Sequence, residues 1–435
     1  MLEAKKRLSR LLQKERRRYQ RGDWQAISRL KDSGKIGAMW KKLKPNKVED
    51  DGLGTITMLE DGIRAVAQVG FPHDEVSSQA WARELASFTH TPQHISDEIM
   101  DSPELWKLKR CKATGEDGWC EELLMLLKRM GNSSFADLKN AFRLMAMYGT
   151  IPRYQRGSLV KPILKPGKTG ATHNEYRKLS LMSVIRKRLE KVGSLMMRPY
   201  WSAGDYQAGF RKGKRAASRI FILLAMVSQA LWPLDMLPGS CSQECGLLLV
   251  DFEQFFDTLR PERLFKKMLC AGIPDYVIGL WKELFRTHSV KVSFAGTIGK
   301  PIRVLVGVPQ GSGWSPELAT LYVDVGLADT LQEIRIGTIS ISGTTVHLLM
   351  YADDLLTANT CEAGLQQQFQ SIEQVSEVDG LRVSYKKTVV AVFRNHGRET
   401  QKWELHGKRG KIVESAEPFV KYQPFQQFGS LRDAL

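Results

Sequence analysis

Cysteine is scarce and unpaired. Six thiols (Cys111, Cys120, Cys241, Cys245, Cys270 and Cys361) are spread over 435 residues, without matched Cys/His pairs at zinc-ligand spacing and without the density of a disulfide scaffold. Free thiols are therefore expected. Cys241 and Cys245 form the one near pair, and no second pair stands close by to complete a metal site. Long apolar runs are missing as well. The most apolar stretch, Ile220 to Leu237, is broken by Ser228, Gln229, Pro233 and Asp235, which leaves it short of the roughly 20 apolar residues that cross a bilayer. No apolar segment follows the basic amino terminus, so neither a signal peptide nor a transit peptide is read there. A protein of the nucleus or cytoplasm is expected, without membrane attachment; nothing in the sequence speaks to its oligomeric state.

Acidic residues are also under-represented, with 47 Asp and Glu against 64 Lys and Arg for a net charge of +17. Such an excess favours a polyanionic partner, and nucleic acid is the best match. Much of it is local: Met1 to Lys47 holds 16 basic and 4 acidic residues. There Leu8, Leu11 and Leu12, then Trp24, Ile27 and Leu30, recur at helical spacing, so residues 1–48 read as a basic helical arm that Pro45 ends. The arm either tracks phosphates or is a solvated basic helix. Residues 49–101, acidic at Glu49 to Asp51 and punctuated by Gly52, Gly54, Gly70 and Pro72, read as a connector with helices. From Ser102 onward helical patterns such as Phe135 to Tyr148 alternate with short strand-like runs: Leu159 to Leu164, Leu247 to Val250, Val290 to Phe294, Val304 to Val306 and Val346 to Met350. With 43% hydrophobic residues to build a core, that mixture predicts an α+β fold.

Two of these strands carry chemistry. Leu247 to Val250 ends in Asp251, with Asp257 six residues on, and Val346 to Met350 leads into Tyr351-Ala352-Asp353-Asp354 and an apparent antiparallel return, Leu355 to Ala358. A strand delivers a side chain rigidly. If both strand systems join one sheet, Asp251 and Asp353 converge into a hard-oxygen site suited to Mg²⁺ rather than zinc. Two such ions about 4 Å apart serve an in-line phosphoryl displacement. Between the strands lies a glycine-rich loop, Gly307 to Pro316, leading into a helical pattern from Glu317 to Leu327. It reads either as a close backbone approach to a ligand or as a plain connection.

In this order, the segments resemble the reverse transcriptase domain of LINE-type (non-LTR) retrotransposons from about Lys112 to Gly429. Lys112 to Gly118 looks like the family's opening motif. Pro162 to Lys168 and Tyr176 to Leu181 resemble its fingers strands, and Gln207-Ala208-Gly209-Phe210-Arg211 its next segment. Asp251 to Asp257 and Tyr351 to Asp354 resemble the two catalytic motifs, Gly380 to Thr388 the lysine motif, and Phe425 to Gly429 a degraded primer grip. The resemblance implies a right-hand polymerase fold: fingers over about 102–215, palm over about 216–435, and a thumb absent or truncated. It implies an RNA-directed DNA polymerase that extends a DNA primer on an RNA template with deoxynucleoside triphosphates. Asp251, Asp353 and Asp354 would be its catalytic and metal-binding carboxylates, holding two Mg²⁺ ions, with Mn²⁺ a substitute. Lys165 and Arg177 would face the triphosphate, and Gln310 the nucleotide or template. Lys387 would donate a proton to departing pyrophosphate, and Phe256 would exclude a ribose 2′-hydroxyl. Phe428 and Gly429 would belong to the primer grip.

Departures from the family pattern are Phe255 for Ala, Ala319 for Phe, Lys178 for Pro, Trp314 for Leu, Ser384 for Asn and Phe428 for Leu. Phe255 is expected to crowd the nucleotide's sugar, and its added volume against the volume lost at Ala319 points to a repacked core. Two other readings stay open. One is a group II intron maturase or another cellular reverse transcriptase, against which Lys112 to Gly118 speaks. The other is a decayed, non-catalytic RNA-binding protein that keeps the fold, against which three intact carboxylates speak, because folding demands no such convergence.

Overall fold

A computed structural model describes residues 52–69, 75–110, 112–131, 133–211, 213–231, 244–286, 288–394 and 402–415. The chain divides into two compact units, Met1–Thr55 and Ile56–Leu435. The arm expected over 1–48 lies outside the described residues, as do Phe428 and Gly429. Within the second unit helices and strands mix as expected of an α+β fold. Among the described residues no helix is long and apolar enough to cross a membrane, and Cys120, Cys245, Cys270 and Cys361 are free thiols.

One sheet is built on the hairpin of β1 (Gly157–Leu164) and β2 (Tyr176–Met182), antiparallel from Ser158 opposite Met182 to Leu164 opposite Tyr176. β4 (Ser289–Phe294) runs parallel to β1, and β5 (Thr297–Ile298) and β6 (Ile302–Arg303) both pair with β4. These last strands fall in the range expected for the palm, yet they extend the sheet of the expected fingers. The reason is periodicity. Val290 and Val292 alternate with polar residues, and their apolar face packs with Val160 and Ile302 against Ile56, Leu59 and Ile63 of the helix Gly52–Arg64. The range expected as a connector with helices, 49–101, does contain helices, and it takes part in the packing. From Ile56 on it is built into the body, and Trp81 and Phe88 meet Phe265 edge to face.

The second sheet runs Val389–Arg394 (β11), Glu244–Val250 (β3), Asp354–Asn359 (β10) and Leu349–Tyr351 (β9) in spatial order. Its centre, β3 (Glu244–Val250), has β10 (Asp354–Asn359) and β11 (Val389–Arg394) antiparallel on its two sides. β3 is buried on both faces. Leu248 and Val250 enter the main core, whereas Leu247 and Leu249 pack with Leu223 and Met226 of the helix Ala216–Leu231. Two-sided burial is why this strand is continuously apolar instead of alternating. Small hairpins of β7 (Ile339–Ile341) with β8 (Thr344–Val346), and of β12 (Glu404–Gly407) with β13 (Gly410–Val413), complete the strands.

Three local expectations change. Val346 to Met350 is not one strand, because β8 ends at Val346 and β9 (Leu349–Tyr351) begins after a break at His347 and Leu348. Val304 to Val306 is not a strand either; the amides of Leu305 and Val306 donate to the Ala67 carbonyl at 2.8 and 2.9 Å and so cap a helical segment. The helix predicted over Glu317 to Leu327 kinks at Val325 and Gly326, where Gly326 takes a φ of 103° that suits glycine.

The helix Val184–Met197 opens with Ser183 accepting a hydrogen bond from the Ile185 amide and buries most of its length. One of its residues makes room for the glycine-rich loop. Trp314 is fully buried, and a Cβ on Gly193 would lie 2.4 Å from its ring. Gly193→Ala is therefore expected to destabilise the fold by about 1–3 kcal/mol through overpacking, despite alanine's better helix propensity. Urea denaturation checks this, and adding Trp314→Leu to Gly193→Ala should recover part of the loss; simple additivity of the two costs would refute the contact.

Candidate active site

The register of the second sheet meets the condition for converging carboxylates. Leu355 pairs with Val250, so the start of β10 stands beside the end of β3, where Asp251 follows. Asp353 lies at the tip between β9 and β10, next to Ala352, whose φ of 62° is left-handed. Its carboxyl is held above the usual range, chiefly by burial and further by the charge of Asp251, so the two groups sense each other directly. Asp354 opens β10 opposite Tyr351. Lys387 reaches Asp251, with Nζ 3.0 Å from Oδ1 and 3.3 Å from Oδ2. The lysine turn is tied to the strand end by backbone: the Ser384 amide donates to the Asp251 carbonyl at 2.8 Å. Ser in place of Asn leaves that contact untouched.

The fit to divalent metal is partial. Asp251 and Asp353 are adjacent hard-oxygen donors, but among the described residues no group of three metal-capable side chains is assembled. Lys387 also competes for the Asp251 oxygens. Asp251 and Asp353 would be the first ligands of such an ion; Asp354 does not complete a triad with them here.

Cations gather on the Asp251 side of the pair. Lys165 has its ammonium pKa lowered first by burial, then by Lys387, Arg177 and Lys178, while Asp251 opposes the shift. Three expected contributors, Lys165, Arg177 and Lys387, thus share one electrostatic neighbourhood. Lys178, read from sequence only as a departure, joins them, and its Nζ sits 3.0 Å from Asp257 Oδ2. The substitution and Asp257 explain each other. Neither spacing nor composition could have paired residues 79 positions apart.

Phe256 is partly buried and meets the exposed ring of Phe210 edge to face at 6.4 Å. Phe255 is a correction. It is only 4% exposed and packs in the main core beside Phe252 at 5.8 Å, so it does not crowd a sugar. Successive residues in the short helix Phe255–Thr258 point in different directions, and only one of the two rings can face the cleft. Ala319 is in the same buried cluster, as the repacked-core reading requires.

Gln310 lies in the glycine-rich loop, and its carbonyl accepts from the Ser180 amide of β2 at 2.8 Å. The loop is held from beneath by Glu190, whose Oε2 accepts from Ser312 Oγ at 2.8 Å and from the Gly313 amide at 2.9 Å. Glu190 is fully buried with Arg186. Sequence reasoning gave it no role, because its helix Val184–Met197 carries five charged residues and nothing local sets this one apart. Gln207 and Gly209, known only from the family-like segment, lie against Ala352.

The reverse transcriptase (RNA-dependent DNA polymerase) family matches residues 163–420. Curated relatives include a probable RNA-directed DNA polymerase from transposon BS of Drosophila melanogaster, 23% identical over 74% of this chain and 35% of that protein. Another is the Pol polyprotein of the type-1 retrotransposable element R2 of Nasonia vitripennis, 22% identical over 80% of this chain and 33% of that protein. The X-element polymerase of Drosophila melanogaster is 27% identical over 48% of this chain and 22% of that protein. The chain thus spans about a third of the length of the first two relatives.

Burial of Asp353, with the charge of Asp251 beside it, has a stability consequence. The folded chain holds the Asp353 proton more tightly than the unfolded chain does. The native state therefore loses stability as pH rises from the ordinary 3.8 through the raised value, and the cost is complete above it. Asp353→Asn removes that cost while keeping shape and an acceptor oxygen. It is expected to be more stable than the parent by ~1 kcal/mol near neutral pH, with the advantage gone in mild acid. Thermal denaturation at the two pH values checks this, and an Asn variant less stable at neutral pH would contradict it.

Proposed function

We propose, for a chain that belongs to the reverse transcriptase (RNA-dependent DNA polymerase) family, that its site extends a DNA primer on an RNA template with deoxynucleoside triphosphates, as part of a non-LTR retrotransposon. The relatives are named as RNA-directed DNA polymerases of transposons and mobile elements. The observation that carries the reading is the meeting of Asp251 and Asp353, delivered by two paired strands, with Lys387 on Asp251 and Lys165 close enough to feel the charges of Asp251, Lys387, Arg177 and Lys178.

Each group has a part in that reaction. Asp251 and Asp353 would hold two divalent ions, which supply activation of the primer 3′-hydroxyl and stabilisation of the leaving pyrophosphate. Lys165, Arg177 and Lys178 meet the charge of the triphosphate, and Gln310 orients the nucleotide or the templating base. Lys387 leaves Asp251 as the ligands arrive and gives a proton to pyrophosphate. Phe256, backed by Phe210, excludes the ribose 2′-hydroxyl.

A basic trough supports an RNA or DNA strand as partner. Two cavities of about 480 and 700 Å³ share Glu104, Lys107 and Lys191. The first is also lined by Lys109, Lys112 and Lys187 beside the loop at Gly311, and the second reaches Gly209, Phe210 and Arg211 by the acidic turn. A single strand lying along it would pass phosphates over lysines.

Primer extension on a homopolymer RNA with Mg²⁺ tests the function. Asp251→Asn should lower extension by about 100-fold or more while RNA binding stays near the parent's, since an amide holds a hard cation poorly. Activity within about tenfold of the parent sinks the metal assignment, and a parent that binds RNA without extending primers is the non-catalytic protein instead. In the same assay Phe256→Val should raise ribonucleotide relative to deoxynucleotide use by at least tenfold, about 1.4 kcal/mol. An unchanged ratio removes Phe256 as the gate.

A further inference from the structure

We propose that Gln207 is a positioning residue for the acidic turn, an inference that rests on the polymerase reading: its carboxamide fixes the Ala352 backbone and thereby the direction in which Asp353 leaves it. Segment 206–208 runs beside β9. The Met350 amide donates to the Tyr206 carbonyl at 2.8 Å, and the Ala208 amide donates to the Met350 carbonyl at 2.9 Å. This registers Gln207 with Met350 and sends its side chain, fully buried, onto the residue at the hairpin tip.

There the carboxamide is used from both ends. Oε1 accepts from the Ala352 amide at 2.9 Å and from the Gly209 amide at 2.7 Å, and Nε2 donates to the Ala352 carbonyl at 3.1 Å. One side chain thus holds the amide and carbonyl of a single alanine whose φ is 62°, a conformation that L-residues rarely adopt and that persists only where the surroundings over-determine it. Gly209 adds an independent constraint, because a Cβ there would lie 2.1 Å from the Ala352 nitrogen. Two positions are thus committed to the backbone of an alanine with no chemistry of its own. What that backbone controls is the next residue, whose carboxylate must face Asp251. Only glutamine serves the clamp in full; glutamate keeps the acceptor but cannot donate to the Ala352 carbonyl, and leucine does neither.

Gln207→Leu and Gln207→Glu in the full chain test the proposal, with primer extension and amide hydrogen exchange as readouts. For Gln207→Leu, kcat should fall by about 30-fold or more with the KM for deoxynucleotide within about threefold. Exchange at the Ala352 amide should quicken by about tenfold or more while the amides of β3 keep the parent's protection. Gln207→Glu should fall between leucine and the parent in both. Extension within about threefold of the parent, or an Ala352 amide no faster than the parent's, overturns the proposal. So does faster exchange spreading through β3, which would mean general loosening. If the parent itself extends no primer, the polymerase reading fails by itself and the Ala352 exchange alone decides whether Gln207 holds the turn.

Discussion

The buried pair of Arg186 and Glu190 is the interaction on which the site's frame depends. Both side chains are fully buried with Nε 3.0 Å from Oε1, and neither spends its charge on the other alone. Arg186 donates through Nη1 to the Arg156 carbonyl at 2.6 Å and through Nη2 to the Leu284 carbonyl at 2.9 Å, and it touches His288, whose pKa burial and the guanidinium push down to about 3. Glu190 turns the other way, to Ser312 and Gly313. A buried ion pair is repaid only when its remaining donors and acceptors are also satisfied. Here they are satisfied by the chain leading into β1, the helix Asp275–Arg286, and the glycine-rich loop. The pair therefore contributes registration more than net stability: it sets the loop that carries Gln310 at a fixed height above the helix Val184–Met197.

Around the carboxylates the fold accepts electrostatic costs it could avoid elsewhere. Asp353 is desolvated beside Asp251, and Lys165 is pressed by three other cations. Each cluster alone is unfavourable, and a ligand of the opposite charge would relieve it: a cation for the acids, an anion for the bases. That is the pattern of a site organised for charged ligands, where local consistency is given up for function. The lysine that bridges the two sets, Lys387, is 62% exposed in its side chain. Exposure leaves it free to exchange one anionic partner for another, which a buried lysine such as Lys267, paired with Asp379, cannot do.

How much of this was legible depended on whether a signal was local. The continuous apolar run of β3 and the carboxylates after it were readable because two-sided burial writes itself into consecutive residues. The break at His347 and Leu348 was not, because hydrophobic content there resembles a strand, and what ends β8 is pairing with β7 rather than composition. Val304 to Val306 misled for the same reason: the amides of Leu305 and Val306 answer a carbonyl at Ala67, far away in sequence. Phe255 and Phe256 have identical side chains, so only the helix phase could say which faces the core. Gln207 and Glu190 carried no local signal for their contacts at Ala352 and Ser312, whose distance in sequence hides them from any window of reading.

The departures from the family pattern look different once their neighbours are known. Trp314 is larger than the usual leucine, and Gly193 on the facing helix leaves its ring the space. Lys178 introduces a charge where proline is usual, and Asp257 takes it at 3.0 Å. Phe255 adds a ring to the core in which Ala319 removes one. Ser384 replaces asparagine at a position whose contact to Asp251 is made by backbone. A chain losing its fold by unselected substitution accumulates cavities and unpaired charges independently of one another. At Trp314, Lys178 and Phe255 volume is met by volume and charge by charge, and the change falls on a residue that touches the departure or shares its core. Trp314 does leave its indole nitrogen buried without a hydrogen-bond partner. That is a cost on the order of 1–3 kcal/mol, which the ring's complete burial is large enough to offset.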